Sequence, residues 1–289
     1  MPGCKAVTMH SLDWRAGLLA EKIRGHLPFA AWHDMLGILV PRFIVSKPLG
    51  ESMPLKVLER DTEPCPVLWG TLFGSFWGRE TDREALGLVV LEQVFAIYQQ
   101  GPVRIRPGDV VFDVGGQLGV FTRIALTKGA AKVIVFEPEP TNIACIEKTF
   151  AREITSGQVV VVKAAAWKEK GNLRFKGNTL TFRLGAETDM NGSIEVSAVT
   201  IDAIAQHPGI NRVDFIKMDI EGSERYALAG AEKVLKKYGP RLAISAYHLP
   251  DDKDVLPRSI YEISPSYTRY FAATHYDDYL YFFDAAGLR

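Results

Sequence analysis

Residues 110–122 read Val-Val-Phe-Asp-Val-Gly-Gly-Gln-Leu-Gly-Val-Phe-Thr. An apolar run of strand length passes through one carboxylate, Asp113, into a glycine-rich turn and out into a helical pattern. Strand, glycine turn and helix in that order are the opening unit of a doubly wound α/β fold, whose ligands bind over the turn.

The same alternation repeats downstream. KVIVFE (132–137), QVVVVK (158–163), DFIKMD (214–219) and RLAISAY (241–247) are apolar runs with helical stretches between most of them. Continuous apolar strands alternating with helices indicate a parallel sheet covered on both faces. Residues 171–199 interrupt the pattern with short polar-alternating segments that read as a β-hairpin insertion. The chain closes with YTRYFAA (267–273) and DYLYFFD (278–284) around a turn at His275 to Asp278, an antiparallel pair at the sheet edge.

Upstream of this unit, Leu12, Leu19, Ile23 and Leu27 predict an amphipathic helix over 11–27, followed by a short helix before Pro41. Pro48 to Glu80 is dense in proline and glycine and reads as a loop. Its aromatics, Trp69, Phe73, Phe76 and Trp77, either plug the edge of the main core or form a lid over a pocket. Thr81 and Glu84 have capping-box spacing, and Leu86, Val90 and Val94 then mark a helix face that runs to Gly101-Pro102. We therefore divide the chain into an accessory region, 1–80, and a nucleotide-type domain, 81–289.

The 289 residues are 47% hydrophobic, enough for one large core. Lys plus Arg number 34 and so do Asp plus Glu, leaving no global field to attract nucleic acid or an anionic membrane. Cys4, Cys65 and Cys145 lack metal-ligand or disulfide spacing, and the amino terminus lacks the build of a secretion signal. The apolar stretch Phe29 to Val45 is broken by His33, Asp34, Pro41 and Arg42. These features predict a cytoplasmic protein that spans no membrane, and they are compatible with a homo-oligomer.

A dinucleotide fingerprint requires GxGxxG, and here Val114 occupies the first glycine position, with Gly116 and Gly119 in register. Asp113 at the strand end would repel a pyrophosphate and attract the ammonium and sulfonium of S-adenosylmethionine, which makes that molecule the expected cofactor. Gly115, Gly116 and Gly119 would let the backbone approach it. Glu137 ends the second strand, where such folds place the acid that accepts hydrogen bonds from ribose hydroxyls. Ala164-Ala165-Ala166 then leave space before Trp167, which either stacks on the adenine or closes a core edge.

VVFDVGGQLGVFT, VIVFEPEPTN, VDFIKMDIEGSERYALAGAEKVLKKY and LAISAYHLPDD together resemble the FkbM-type methyltransferase family. The resemblance covers about residues 108–284. It implies the class I methyltransferase fold, S-adenosylmethionine as donor and, usually, transfer to an oxygen of a sugar, polyketide or other secondary metabolite. Residues 1–80 show no such resemblance, and where relatives often carry an Arg-His pair this chain has Thr274-His275.

Asp219 and His248 fall at the carboxyl ends of adjacent strands, where open α/β sheets place their ligands. His248 is the expected general base, or else a histidine hydrogen-bonded at a strand end. Asp219 is the expected orienter of the cofactor ammonium or of an acceptor hydroxyl. Glu221 and Glu224 open the next helix, where its dipole favours carboxylates without any catalytic role. No metal is expected, although Asp219, Glu221 and His248 offer hard-cation ligands. The expected partner is a small hydroxylated molecule or glycoside and not a nucleobase, because Asp-Ile-Glu-Gly stands where amino-methylating DNA enzymes carry Asp/Asn-Pro-Pro-aromatic. The alternatives are a non-catalytic homologue that keeps the cofactor, a metal-assisted methyltransferase and a nicotinamide-dependent oxidoreductase.

Overall fold

The computed structural model describes residues 53–176, 183–184, 193–273 and 279–284. The helices expected before Pro41 and the turn at His275 lie outside the described residues.

The apolar runs form the expected strands, β4 (Val110–Val114), β5 (Lys132–Phe136), β6 (Val159–Val162), β11 (Phe215–Met218) and β12 (Arg241–Ser245). β4, β11 and β12 are buried along their whole length, as strands covered on both faces must be. Their residues alternate between two apolar layers. Val111, Val133, Val135, Phe215 and Ala243 face one layer. Phe112, Ile134, Phe136, Ile216 and Ile244 face the other.

The final strands, β13 (Thr268–Ala273) and β14 (Tyr279–Asp284), complete a seven-stranded sheet of order β13-β14-β12-β11-β4-β5-β6. β14 pairs antiparallel with both β12 and β13, so the returning strand of the hairpin is the one inserted beside the parallel core. The chain runs outward from β4 to β6 and then crosses back to β11 on the other side of β4. That reversal opens a crevice at the carboxyl ends of β4 and β11.

Three helices close the layer beside the crevice. α1 (Arg83–Val94) precedes the sheet, α2 (Val120–Thr127) follows β4, and α3 (Pro140–Thr149) follows β5. α1 starts two residues later than the sequence predicts, after a 3-10 turn at Glu80–Asp82. Asp82, and not Glu84, reaches back to the amino end, accepting from the Arg79 amide at 2.7 Å. The helix also stops at Val94, well before Gly101, because Ala96 takes a left-handed conformation (φ 49°).

The segment expected as a loop is instead an antiparallel meander of β1 (Lys56–Arg60), β2 (Val67–Thr71) and β3 (Gly74–Gly78). Its glycines punctuate strands rather than replace them, and Gly74 (φ 109°) closes the tight β2–β3 turn. Trp69 and Phe76 are buried. Phe76 meets Phe150 edge-on at 6.5 Å, and the Trp77 amide donates to Thr149 Oγ1 at 2.9 Å. The meander therefore seals the core against α3, and none of its residues lines the crevice.

The insertion forms a second, smaller sheet of β7 (Ala165–Ala166), β8 (Gly171–Lys176), β9 (Arg183–Leu184) and β10 (Ile194–Val199). β8 and β10 are the expected hairpin. α4 (Ala151–Thr155), α5 (Ile201–Ile204), α6 (Glu224–Ala229), α7 (Glu232–Tyr238) and α8 (Asp252–Ile263) complete the helices named here.

Candidate active site

The crevice holds a cavity floored by the turn after β4. Gly115 (φ 88°) passes so close to β11 that a Cβ there would lie 2.0 Å from the Asp219 carbonyl oxygen. A Cβ on Gly116 would meet Val135 at 2.2 Å. Both amides donate to the Phe136 carbonyl at 3.0 Å, which ties the turn to β5 and leaves its outer surface to the cavity. Gly119 serves packing instead, since a Cβ there would lie 2.4 Å from the Phe150 ring.

Asp113 does not face the cavity as the sequence predicts. It is wholly buried beneath the turn, accepting from Thr122 Oγ1 at 2.7 Å with Lys217 Nζ 3.3 Å away. Burial pushes its pKa up, against the opposing pull of Lys217 and Thr122. Alternation along β4 puts Asp113 on the α2 side, and Lys217 offsets the charge that was expected to attract a sulfonium. Lys217, which also lines the cavity, donates to the Gly115 carbonyl at 2.5 Å and so staples the turn.

Glu137 does reach the cavity, one strand along. Its Oε2 accepts from the Gln117 amide at 2.8 Å and its Oε1 from the Glu139 amide at 2.9 Å, which fixes the carboxylate. Burial, opposed by these bonds, pushes its pKa up to about 7. Ala164, Ala165 and Ala166 form the adjoining wall. Trp167 does not join them. It is buried against Tyr226, ring centroids 4.2 Å apart, and closes a core edge rather than offering a platform for adenine.

On the opposite wall Asp219 presents its carboxylate beside Tyr247, whose hydroxyl is 3.3 Å from Oδ1. The Tyr98 hydroxyl donates to Asp219 Oδ2 from the segment after α1. Burial and the Asp219 charge hold Tyr98 well above its ordinary pKa, so it remains a neutral donor. Burial also works to raise the pKa of Asp219, but the charges of His248 and Lys217 and the Tyr98 bond carry it below the usual carboxylate value. Asp219 is therefore ionised at neutral pH.

His248 stands behind Asp219, 8% exposed and away from the cavity lining. Its Nδ1 lies 3.0 Å from Glu224 Oε1, and its Nε2 lies 3.3 Å from Asp219 Oδ1 and 4.0 Å from Glu221 Oε2. Burial alone would lower its pKa. The Glu224 bond and the three carboxylate charges outweigh that and push it up to about 9. A protonated imidazole has no lone pair to accept a proton, and His248 stands as a buried cation beside Asp219, off the cavity lining. Asp219, Glu224 and His248 each bring one ligand atom within 4.8 Å of the others, a span that suits a metal ion. The His248 proton supplies the same neutralisation in their midst.

The FkbM methyltransferase domain matches residues 113–287, more than half of the chain. The chain belongs to that family. Methyltransferase membership implies S-adenosylmethionine as cofactor, and the glycine floor and Glu137 suit a nucleoside there. Over 166 residues this FkbM-type chain is 30% identical to the 31-O-demethyl-FK506 methyltransferase FkbM of Streptomyces tacrolimicus, a span of 47% of this chain and 64% of that one. Over 128 residues it is 24% identical to the hexuronic acid methyltransferase AglP of Haloferax volcanii, covering 44% of this chain and 52% of the relative. The matches thus span between half and two thirds of those relatives' lengths. The crystal structure of an FkbM methyltransferase from Methylobacillus flagellatus KT shares the fold, with a TM-score of 0.50 and 22% identity over 71% of this chain and 55% of that one. Among the described residues no helix is long and apolar enough to cross a membrane.

Proposed function

We propose that this FkbM-type chain transfers a methyl group from S-adenosylmethionine to a hydroxyl oxygen of a small molecule or glycoside. The observation that carries this reading is the ionised Asp219 carboxylate at the cavity wall, held by Tyr98, Tyr247 and His248 next to the glycine floor. S-adenosylmethionine, when bound, supplies a methyl group already activated by its sulfonium. The chain's task is then alignment and removal of one proton.

Asp219 fits both parts of that task. Its carboxylate orients an acceptor hydroxyl by accepting its hydrogen bond. A low proton affinity is no obstacle, because an alkylated hydroxyl is a far stronger acid than any carboxylic acid. Glu137 holds ribose hydroxyls, and Gly115 and Gly116 give the backbone clearance. Every one of these residues lies within 81–289, the proposed catalytic domain, with 1–80 as an accessory segment whose meander seals the core. The names of the relatives, a macrolide-type and a uronic acid methyltransferase, support a hydroxylated acceptor. The balanced charge and the free thiols of Cys65 and Cys145 suit a cytoplasmic enzyme of small molecules.

Calorimetric titration with S-adenosylhomocysteine beside NAD and NADP tests the cofactor, and Asp219→Asn tests the chemistry. Micromolar binding of the first ligand alone is expected, with the variant binding normally but transferring methyl groups at least about a hundredfold more slowly to hydroxylated acceptors. A preference for a nicotinamide, or full turnover by the variant, would sink the proposal.

A further inference from the structure

Gln93 is a buried amide with nothing to bond. It sits near the end of α1, in the cavity wall, and is 6% exposed. Among the described residues neither its Oε1 nor its Nε2 has a hydrogen-bond partner. Buried polar side chains are almost always satisfied, and an unmet donor and acceptor on one group count against the folded state twice. Such a group at a cavity wall marks the place where a ligand supplies the missing partners.

What the ligand must present follows from the amide and from its position. One atom donates and the other accepts, so the complement is a group that carries an acceptor and a donor side by side. Along the crevice the sheet order sets Ala164–Ala166 beyond β6, Glu137 after β5, the glycine floor after β4 and Asp219 after β11. A nucleoside whose ribose is held at Glu137 directs its base one way and the opposite end of the molecule the other, toward the floor, Asp219 and α1. Gln93 lines the same cavity and shortly precedes Tyr98 in the chain, whose hydroxyl reaches Asp219. Asp113, which the sequence offered as the partner of the ammonium, is turned under the floor and held by Thr122 and Lys217.

We infer that the Gln93 amide is the subsite for the zwitterionic amino-acid end of the cofactor, with Oε1 accepting from the ammonium and Nε2 donating to the carboxylate. The inference rests on the S-adenosylmethionine reading of the cavity and names which residue recognises that end of the molecule. It also gives a role to an unmet polar group in a wall that α1 otherwise lines with Leu88, Val89 and Glu92.

The test is Gln93→Met, which keeps the length of the side chain and removes both polar atoms. Two probes are titrated by calorimetry into each protein: S-adenosylhomocysteine, which carries the amino-acid end, and 5′-methylthioadenosine, which lacks it. The variant is expected to bind the first about tenfold to a hundredfold more weakly and the second unchanged, as loss of hydrogen bonds to charged groups requires. In the ligand-free protein its melting temperature should hold or rise, because an orphaned amide has been replaced by an apolar chain. A fall in melting temperature or failure to fold would show the amide to be a structural partner and overturn the inference. Equal weakening of both probes, or no change in either, would overturn it while leaving the cofactor reading intact. Failure of the unsubstituted protein to bind either probe would overturn both.

Discussion

Lys217 and Asp113 stand opposite each other in register on neighbouring parallel strands, their charges 3.3 Å apart, and Lys217 also donates to the Gly115 carbonyl directly above. One lysine thus neutralises a buried carboxylate and fixes the backbone of the cofactor floor. Both side chains are almost wholly enclosed, so neither charge has water to fall back on. Lys217→Met should cost about 3–5 kcal/mol in denaturant unfolding, since it leaves the buried Asp113 without a countercharge and with the Thr122 hydroxyl as its donor. Adding Asp113→Asn to that variant should restore most of the loss. A double variant no more stable than the single one would show that the pair is not coupled.

The pH profile of methyl transfer distinguishes two roles for His248. A general base with a pKa of about 9 would be almost entirely protonated at neutral pH, and turnover would climb about tenfold per pH unit toward that value. A buried imidazolium that aims Asp219 gives the opposite sign: turnover is level through neutrality and falls as the proton is lost near pH 9. We expect the second profile, with the alkaline limb absent in His248→Ala, whose turnover is reduced at every pH while affinity for S-adenosylhomocysteine is nearly unchanged. A rising limb below pH 9 in the unsubstituted protein would reinstate the base.

The core strands were legible because they are apolar at most positions on both faces, a pattern that survives without knowledge of neighbours. β4 spans the very residues the run 110–114 predicts. The meander was not, because its glycines and prolines read as punctuation while its period-two burial is only five residues deep per strand. Lys217 left a signal that went unused. A charged residue inside the fully buried strand Phe215–Met218 requires a buried partner, and Asp113 was the one acid in the neighbouring run. The orientation of Trp167 and the protonation of His248 had no such signal. The first depends on Tyr226 and the second on three carboxylates that only the folded chain assembles around one ring.

Trp167 offers a direct check on the cavity's outline. Its ring is stacked on Tyr226 and lies outside the lining, so Trp167→Ala should destabilise the protein by about 3 kcal/mol through the void it leaves. Affinity for S-adenosylhomocysteine, measured below the melting transition, should stay within about twofold, because sites without shared partners act independently. A loss of affinity well beyond that would return Trp167 to the cofactor site.

Glu137 couples pH to stability and to binding with opposite signs. Its carboxyl is raised from 4.5 to about 7 by burial, so the folded protein holds this proton more tightly than the unfolded chain does. Its contribution to stability is therefore greatest at low pH and is lost as pH rises through the window from 4.5 to about 7. Ligand binding runs the other way. Oε2 already accepts the Gln117 amide and Oε1 accepts both the Glu139 amide and, at 3.4 Å, the Asn142 side-chain amide, so the ionised form keeps a lone pair on Oε2 for a ribose hydroxyl, whereas the protonated form spends an oxygen as a donor. The dissociation constant of S-adenosylhomocysteine should thus tighten about tenfold between about pH 6 and about pH 8 and then level off. Binding at neutral pH should release protons, seen as a dependence of the calorimetric heat on the ionisation enthalpy of the buffer. Glu137→Gln, which cannot ionise, should bind more weakly at the upper pH and show neither the slope nor the proton release. A pH-independent affinity in the unsubstituted protein would mean that the ribose hydroxyls are held elsewhere in the crevice.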